Sequence, residues 1–240
     1  MSAPHADPAT PADAWSSLLN ALTVASPLPF DLNTRRCLRL DLGGSSATMR
    51  GVDPADTPAF TASVQAQIAA AGADYAGGGY AEDRALYRLS AVFGDADREE
   101  PRTLHLGVDL WLPAGTPVHA VLGGTVHSFQ DNAHFGDYGP TLILQHEYAG
   151  QRFHTLYGHL ARRTLAQITV GQPVATGERL GWLGEPSENM GWPPHLHFQI
   201  IGDLGGRSGD YPGVCKPSEA AHWLANCPDP NFLLRIEALS

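Results

Sequence analysis

From Leu104 onward, apolar and polar positions alternate or bunch in short runs between glycine and proline turns. This is the period of strands rather than of helices. The runs Pro117 to Ala120, Gly124 to Phe129, Thr141 to His146, Arg152 to Tyr157 and His195 to Ile201 are predicted as strands, and EYAGQ (Glu147 to Gln151) as the hairpin loop between the third and fourth. Together they predict a mainly β fold, an antiparallel β-sandwich. The earlier pattern differs. Thr10-Pro11 offers a cap and a first-turn proline for a helix in which Trp15, Leu18, Leu19 and Leu22 share a face. Leu38, Leu40 and Leu42 alternate with Arg39 and Asp41 in a half-buried strand from Cys37 to Leu42. Thr57-Pro58 starts a second helix with Phe60, Val64 and Ile68 stacked, and Gly72 stops it. Near the C-terminus, Ser218 is placed to cap a short helix through Trp223 and Leu224 that ends before Pro228. The expected organisation is an α/β lead-in (1–100), a β domain (101–205) and a C-terminal extension with a short helix (206–240).

Composition narrows the class. The chain has 240 residues, 43% hydrophobic and 17% charged, enough for one large domain or for a core with an appended lobe. Its net charge of −10, with no cluster of Lys and Arg, argues against a nucleic-acid partner and against attraction to an anionic membrane or wall. The first fifteen residues carry neither a basic region nor an unbroken apolar one, and no later run approaches a membrane span. Cys37, Cys215 and Cys227 form no CxxC pair and allow one bridge at most. The expectation is a cytoplasmic protein with reduced thiols, the periplasm or the medium being the alternative.

The chemistry concentrates in two short segments. His105-Leu106-Gly107-Val108-Asp109 supplies a histidine and a carboxylate, and Pro193-Pro194-His195-Leu196-His197-Phe198 supplies two more histidines. Gly107 and β-branched Val108 disfavour helix, so the first segment reads as an extended turn entering a strand. On a strand, His195 and His197 point to one face and Leu196 and Phe198 to the other. Three ligands of nitrogen and oxygen type leave a tetrahedral Zn²⁺ one open position, the arrangement of a catalytic rather than a structural site.

The stretch from Arg102 to about Ile201 resembles the lysostaphin and LytM type of zinc endopeptidase, peptidase family M23. The likeness runs through RTLHLGVDLWLPAGTPVHAVLGGTV, FHTLYGHL, VGQPVATGERLGWLG and PPHLHFQI. It implies that His105, Asp109 and His197 are the zinc ligands. It also implies that His195, and His159 of the Tyr157-Gly158-His159-Leu160 element, are catalytic residues flanking the zinc-bound water, where they move protons or stabilise the oxyanion. Completeness of the five positions favours a working hydrolase acting on a peptide or a peptidoglycan fragment. Flanking segments, PFDL and GGYAEDRALYRLSAVFG before the β domain and DYPGV and CPDPNFLL after it, resemble the peptidase segment of cytoplasmic fusion proteins that also carry a kinase-like domain and a class III aminotransferase.

Other readings compete. A metal-dependent interaction module without turnover would keep the same ligands, and a carrier domain with paired histidines would not need Asp109. Leu40 to Ser46 (LDLGGSS) looks like a phosphate loop, a weak signal when no second loop accompanies it. His119, His127, His134, His146 and His154 lie outside the motifs and are expected to be structural. His154 falls one residue off the Phe153, Thr155, Tyr157, His159 alternation and is expected to point away from the zinc face, while Tyr157 and Trp192 read first as packing residues and, because they adjoin the histidines, second as walls of the cleft.

Overall fold

The computed structural model describes residues 11–44, 46, 51–84, 86–87, 100–134 and 136–240, with the backbone alone at 11–14. The tail before Pro11, Ser45 of the glycine loop and most of RALYRLSAVFG lie outside the described residues. The lead-in contributes α1 (Pro11–Asn20), β1 (Cys37–Arg39), α2 (Thr57–Ala70) and β2 (Tyr75–Gly78). The β domain follows with β3 (Leu104–His105), β4 (Val108–Trp111), β5 (Pro117–His119), β6 (Gly124–Asn132), β7 (Gly139–Tyr148), β8 (Gln151–Gly158), α3 (Arg162–Leu165), β9 (Pro173–Val174), β10 (Arg179–Trp182) and β11 (His195–Ile201). After it come β12 (Val214–Cys215), α4 (Ala220–Asn226) and α5 (Asn231–Leu234).

The protein is mostly β. An eight-stranded sheet in the order β1-β2-β4-β11-β8-β7-β6-β9 carries the core, and β5–β10 and β3–β12 form two-stranded sheets. Every named pairing is antiparallel except β1 with β2, which are joined in parallel through α2. The second layer of the expected sandwich is therefore short, because the runs around Pro117 and Arg179 are cut by nearby turns. Lead-in strands β1 and β2 extend the main sheet, with β2 pairing to β4, so the lead-in is built into the fold. Helix α2 begins as expected, with Asp56 Oδ1 accepting from Ala59 N at 3.0 Å as its cap.

Alternation along the strands divides the apolar residues between the two sheet faces. Leu110, Leu142, Leu144, Phe153, Tyr157, Leu196, Phe198 and Ile200 share one cluster with Leu19, Val118 and Leu180. Ile143, Leu156 and Ile201 join Leu104 and Cys215 in another. The EYAGQ segment is a two-residue turn, with Ala149 at φ 52° and Gly150 at φ 77° between the paired Tyr148 and Gln151.

Two local expectations are corrected. Ser218 does not cap a helix. It lies in a 3₁₀ turn (Pro217–Glu219) with its hydroxyl and its N–H both donating to Glu100, so the hydroxyl is already engaged. His154 does not point away from the zinc face. Gly158 lies opposite His197 in the β8–β11 register, so His154, Leu156 and Gly158 face the same side as His197, and Tyr157 faces the other. The four-residue alternation that included His159 fails at its last member, for a reason that lies in the backbone of His159 itself.

Candidate active site

The sheet brings the separated motifs together by register. Asp109 on β4 pairs directly with His197 on β11, and His195 sits two residues earlier on the same face. His105 ends β3, one short turn before β4. Gly107 in that turn is required by close approach, because a Cβ there would lie 2.5 Å from the His197 ring. His159 arrives differently. After Gly158 the chain adopts a left-handed conformation at His159, φ 60°, with His159 N donating to Tyr138 O at 3.0 Å. That turn moves the imidazole onto the face His197 occupies, and its ring centroid comes 4.1 Å from that of His195. Gly158 admits the Tyr138 ring, which a Cβ would meet at 2.8 Å.

All five sequence-predicted residues meet here, each at most 5% exposed. Hydrogen bonding sets the histidine tautomers. His105 Nδ1 faces the Gly79 carbonyl at 2.9 Å and must carry the proton, leaving Nε2 bare. Gln199 Nε2 donates to Pro212 O, so its Oε1 faces His197 Nε2 at 2.9 Å and takes that proton, leaving Nδ1 bare. The two bare nitrogens are 3.0 Å apart, and Asp109 Oδ1 lies 3.1 Å from His197 Nδ1 and 3.4 Å from His105 Nε2. Three lone-pair atoms converge with no proton between them, an arrangement a cation would satisfy. These three residues are the group suited to hold a metal ion among the described residues. A His₂Asp set of this kind fits zinc.

Around that cluster, His195 Nδ1 donates to Pro193 O at 2.7 Å, so its Nε2 is free toward Asp109 Oδ1 at 3.8 Å. His159 Nδ1 is buried with no partner. Burial pushes both imidazoles below their ordinary pKa, His159 well below it, with His195 and His197 adding to the effect on His159. Both therefore stand neutral at pH 7, as acceptors. Burial pushes the Asp109 carboxyl up, but His105, Arg84 and His195 outweigh it and hold it well below the usual carboxylate range. The aspartate is therefore ionised and ready as a ligand.

A cavity of about 180 Å³ opens over the cluster. Leu42, Phe60 and Tyr87 of the lead-in wall one side, and Asp210 to Val214 another. Trp192 lines it, whereas Tyr157 packs in the core, the first of the two readings offered for each. Its hydroxyl accepts from Val121 N at 2.9 Å on the far side of the sheet. The LDLGGSS loop contributes to this wall through Leu42, and Asp41 Oδ1 closes its own turn on Gly43 N at 2.8 Å. Sequence reasoning missed Arg84, Gly79, Tyr138 and Gln199. Only Gln199 had a signal, two residues past His197 on the same strand face.

Comparison with known proteins bears on this geometry. Residues 103–208 match the sequence model of Peptidase family M23. The matched segment contains all five site residues. Curated relatives include the peptidoglycan DD-endopeptidase ShyA of Vibrio cholerae, 33% identical over 48% of this chain and 25% of the relative. The DD-carboxypeptidase/endopeptidase Mpg of Neisseria meningitidis is 33% identical over 51% of this chain and 26% of the relative. Alignments with these relatives span about a quarter of their length. Among solved structures, the catalytic domain of lysostaphin from Staphylococcus simulans is 27% identical with a TM-score of 0.34, covering 48% of this chain and 77% of that one.

Proposed function

We propose that the protein is a zinc-dependent peptidase that hydrolyses a peptide bond in a peptidoglycan-type fragment or a related small peptide. The observation that carries this reading is the convergence of His105 Nε2, Asp109 Oδ1 and His197 Nδ1, all unprotonated, within 3.4 Å of their neighbours. His105, Asp109 and His197 would hold the zinc, which supplies a Lewis acid for the scissile carbonyl and activates water when bound. The remaining steps belong to side chains. Neutral His195, its Nδ1–H tied to Pro193 O, offers Nε2 as the proton acceptor next to the cluster. His159, packed against it with Nδ1 unpartnered, passes to the leaving amine the proton that His195 takes from the attacking water. Tyr138 and Trp192 flank the imidazoles and limit water in the cavity. The peptidoglycan element of the proposal comes from the activities named for the relatives.

The test is turnover by the purified, metal-loaded chain on a quenched peptide library and on peptidoglycan fragments, with and without a chelator. Cleavage that stops on chelation and returns with zinc supports the reading. Stoichiometric zinc with no cleavage of any substrate would favour the interaction module instead.

A further inference from the structure

Arg84 links the lead-in to the ligand cluster. Its side chain is 2% exposed and reaches Asp109 from outside the matched segment. Nη1 donates to Asp109 Oδ2 at 2.6 Å and to the Tyr87 hydroxyl at 3.0 Å, and Nε donates to Glu82 Oε2 at 2.5 Å. Glu82 is itself anchored, its Oε1 accepting from Leu42 N at 3.0 Å. The backbone is fixed as well, with Arg84 N donating to Thr103 O at 2.9 Å and His105 N to Glu82 O at 3.0 Å. The guanidinium fork is thus held rigidly, and it engages only the carboxylate oxygen that does not face the bare imidazole nitrogens. Gly79 leaves space for it, since a Cβ there would overlap Arg84 Nη2.

We propose that Arg84 is a positioning residue of the metal centre. By occupying Oδ2 it fixes the plane of the Asp109 carboxylate so that Oδ1 alone is presented between His105 and His197. The inference rests on the zinc reading above. A charge effect alone would act in the opposite direction, because a guanidinium near a divalent cation opposes its binding. Orientation must therefore outweigh charge if the proposal holds. Partners that orient metal ligands change affinity by roughly 10- to 100-fold when removed.

The experiment measures zinc affinity by chelator competition in the full chain and in Arg84→Met and Arg84→Lys, with the fold of each checked by circular dichroism. The expected result is zinc affinity lower by roughly 10- to 100-fold in both variants, with a shifted visible spectrum after Co²⁺ substitution. Lysine keeps the charge but loses the fork, so unchanged affinity in Arg84→Lys, or unchanged or tighter affinity in Arg84→Met, overturns the proposal. If neither variant folds, the zinc-loaded wild-type crystal structure decides. One Asp109 oxygen on the metal and the other on Arg84 supports the proposal, and both oxygens on the metal overturns it. A wild-type chain that binds no zinc would overturn the parent reading and this one together. Variants indistinguishable from a zinc-binding wild type would overturn this one alone.

Discussion

Gly107→Ala tests the geometry of the site with a single methyl group. The added Cβ would stand 2.5 Å from His197 Cε1, 2.7 Å from Nε2 and 2.9 Å from the Phe198 carbonyl. The first of these falls about 0.9 Å short of ordinary contact. Relief through the backbone is resisted on both sides, by the β4–β11 pairing and by Leu106 N, which donates to Gly213 O at 2.8 Å. The imidazole must therefore move by most of that distance. Overpacking of this kind costs about 1–3 kcal/mol in stability. Displacing a ligand by such a distance also costs function, on the order of 10²-fold in turnover. Gly123→Ala is the control, since its nearest contacts would be 3.3 Å away and remote from the cluster. Urea unfolding of the metal-free proteins, zinc competition titration and turnover are the three assays. The expected pattern is a modest loss of stability in Gly107→Ala with at least a tenfold loss of zinc affinity, and near-normal zinc binding in Gly123→Ala. Zinc affinity and turnover in Gly107→Ala equal to wild type would refute the claim that the His197 ring is held against the Gly107 backbone.

Replacing His159 or His195 with Ala should lower turnover by roughly 10²-fold or more while metal analysis still finds zinc. Loss of zinc from a folded His195→Ala variant would instead make that residue a ligand. Gln199→Leu removes the acceptor that fixes His197 Nε2–H, so zinc affinity read by chelator competition should fall by roughly tenfold or more. Burial lowers the His146 pKa to about 4, and its Nδ1 and Nε2 are engaged by Gly123 O and Thr155 Oγ1. The unfolded chain binds that proton near pH 6.5 and the folded chain only near 4, so stability is full above about 6.5 and falls as pH drops toward 4. The loss from this residue is about 3 kcal/mol at most. Urea unfolding from pH 7 to 4 should show a shallower acid decline for His146→Gln, and parallel profiles would argue against a neutral buried His146.

Much of this arrangement is legible in the sequence because strands have an unambiguous period. HLHFQII places His195, His197 and Gln199 on one face and Leu196, Phe198 and Ile200 on the other, and the structure keeps that division. The same rule misplaces His154 and Tyr157, because it was extended through His159, where a left-handed residue ends the alternation. A positive φ at a non-glycine residue leaves no mark in composition. Arg84 and Gly79 were illegible for another reason. Their contacts with Asp109 and His105 span 25 and 26 residues, and only the pairing of β2 with β4 brings them near. Ser218 shows the reverse limit, since a good capping residue is taken by Glu100, a partner distant in sequence.

The direct pairing of Asp109 with His197 also governs how the two central strands align. Sliding β11 by one residue would set Asp109 opposite Leu196 or Phe198 and turn every side chain of β11 over to the other face. Leu196, Phe198 and Ile200 would then leave their apolar layer, and three polar side chains would enter it without partners. The ligand residues thus act as a key that admits one alignment of the sheet centre. Apolar replacements at Asp109, His195 and His197 would remove more than metal binding. They would leave β4 apolar on both faces and β11 with Gln199 as its single polar side chain, far freer to mispair by one step.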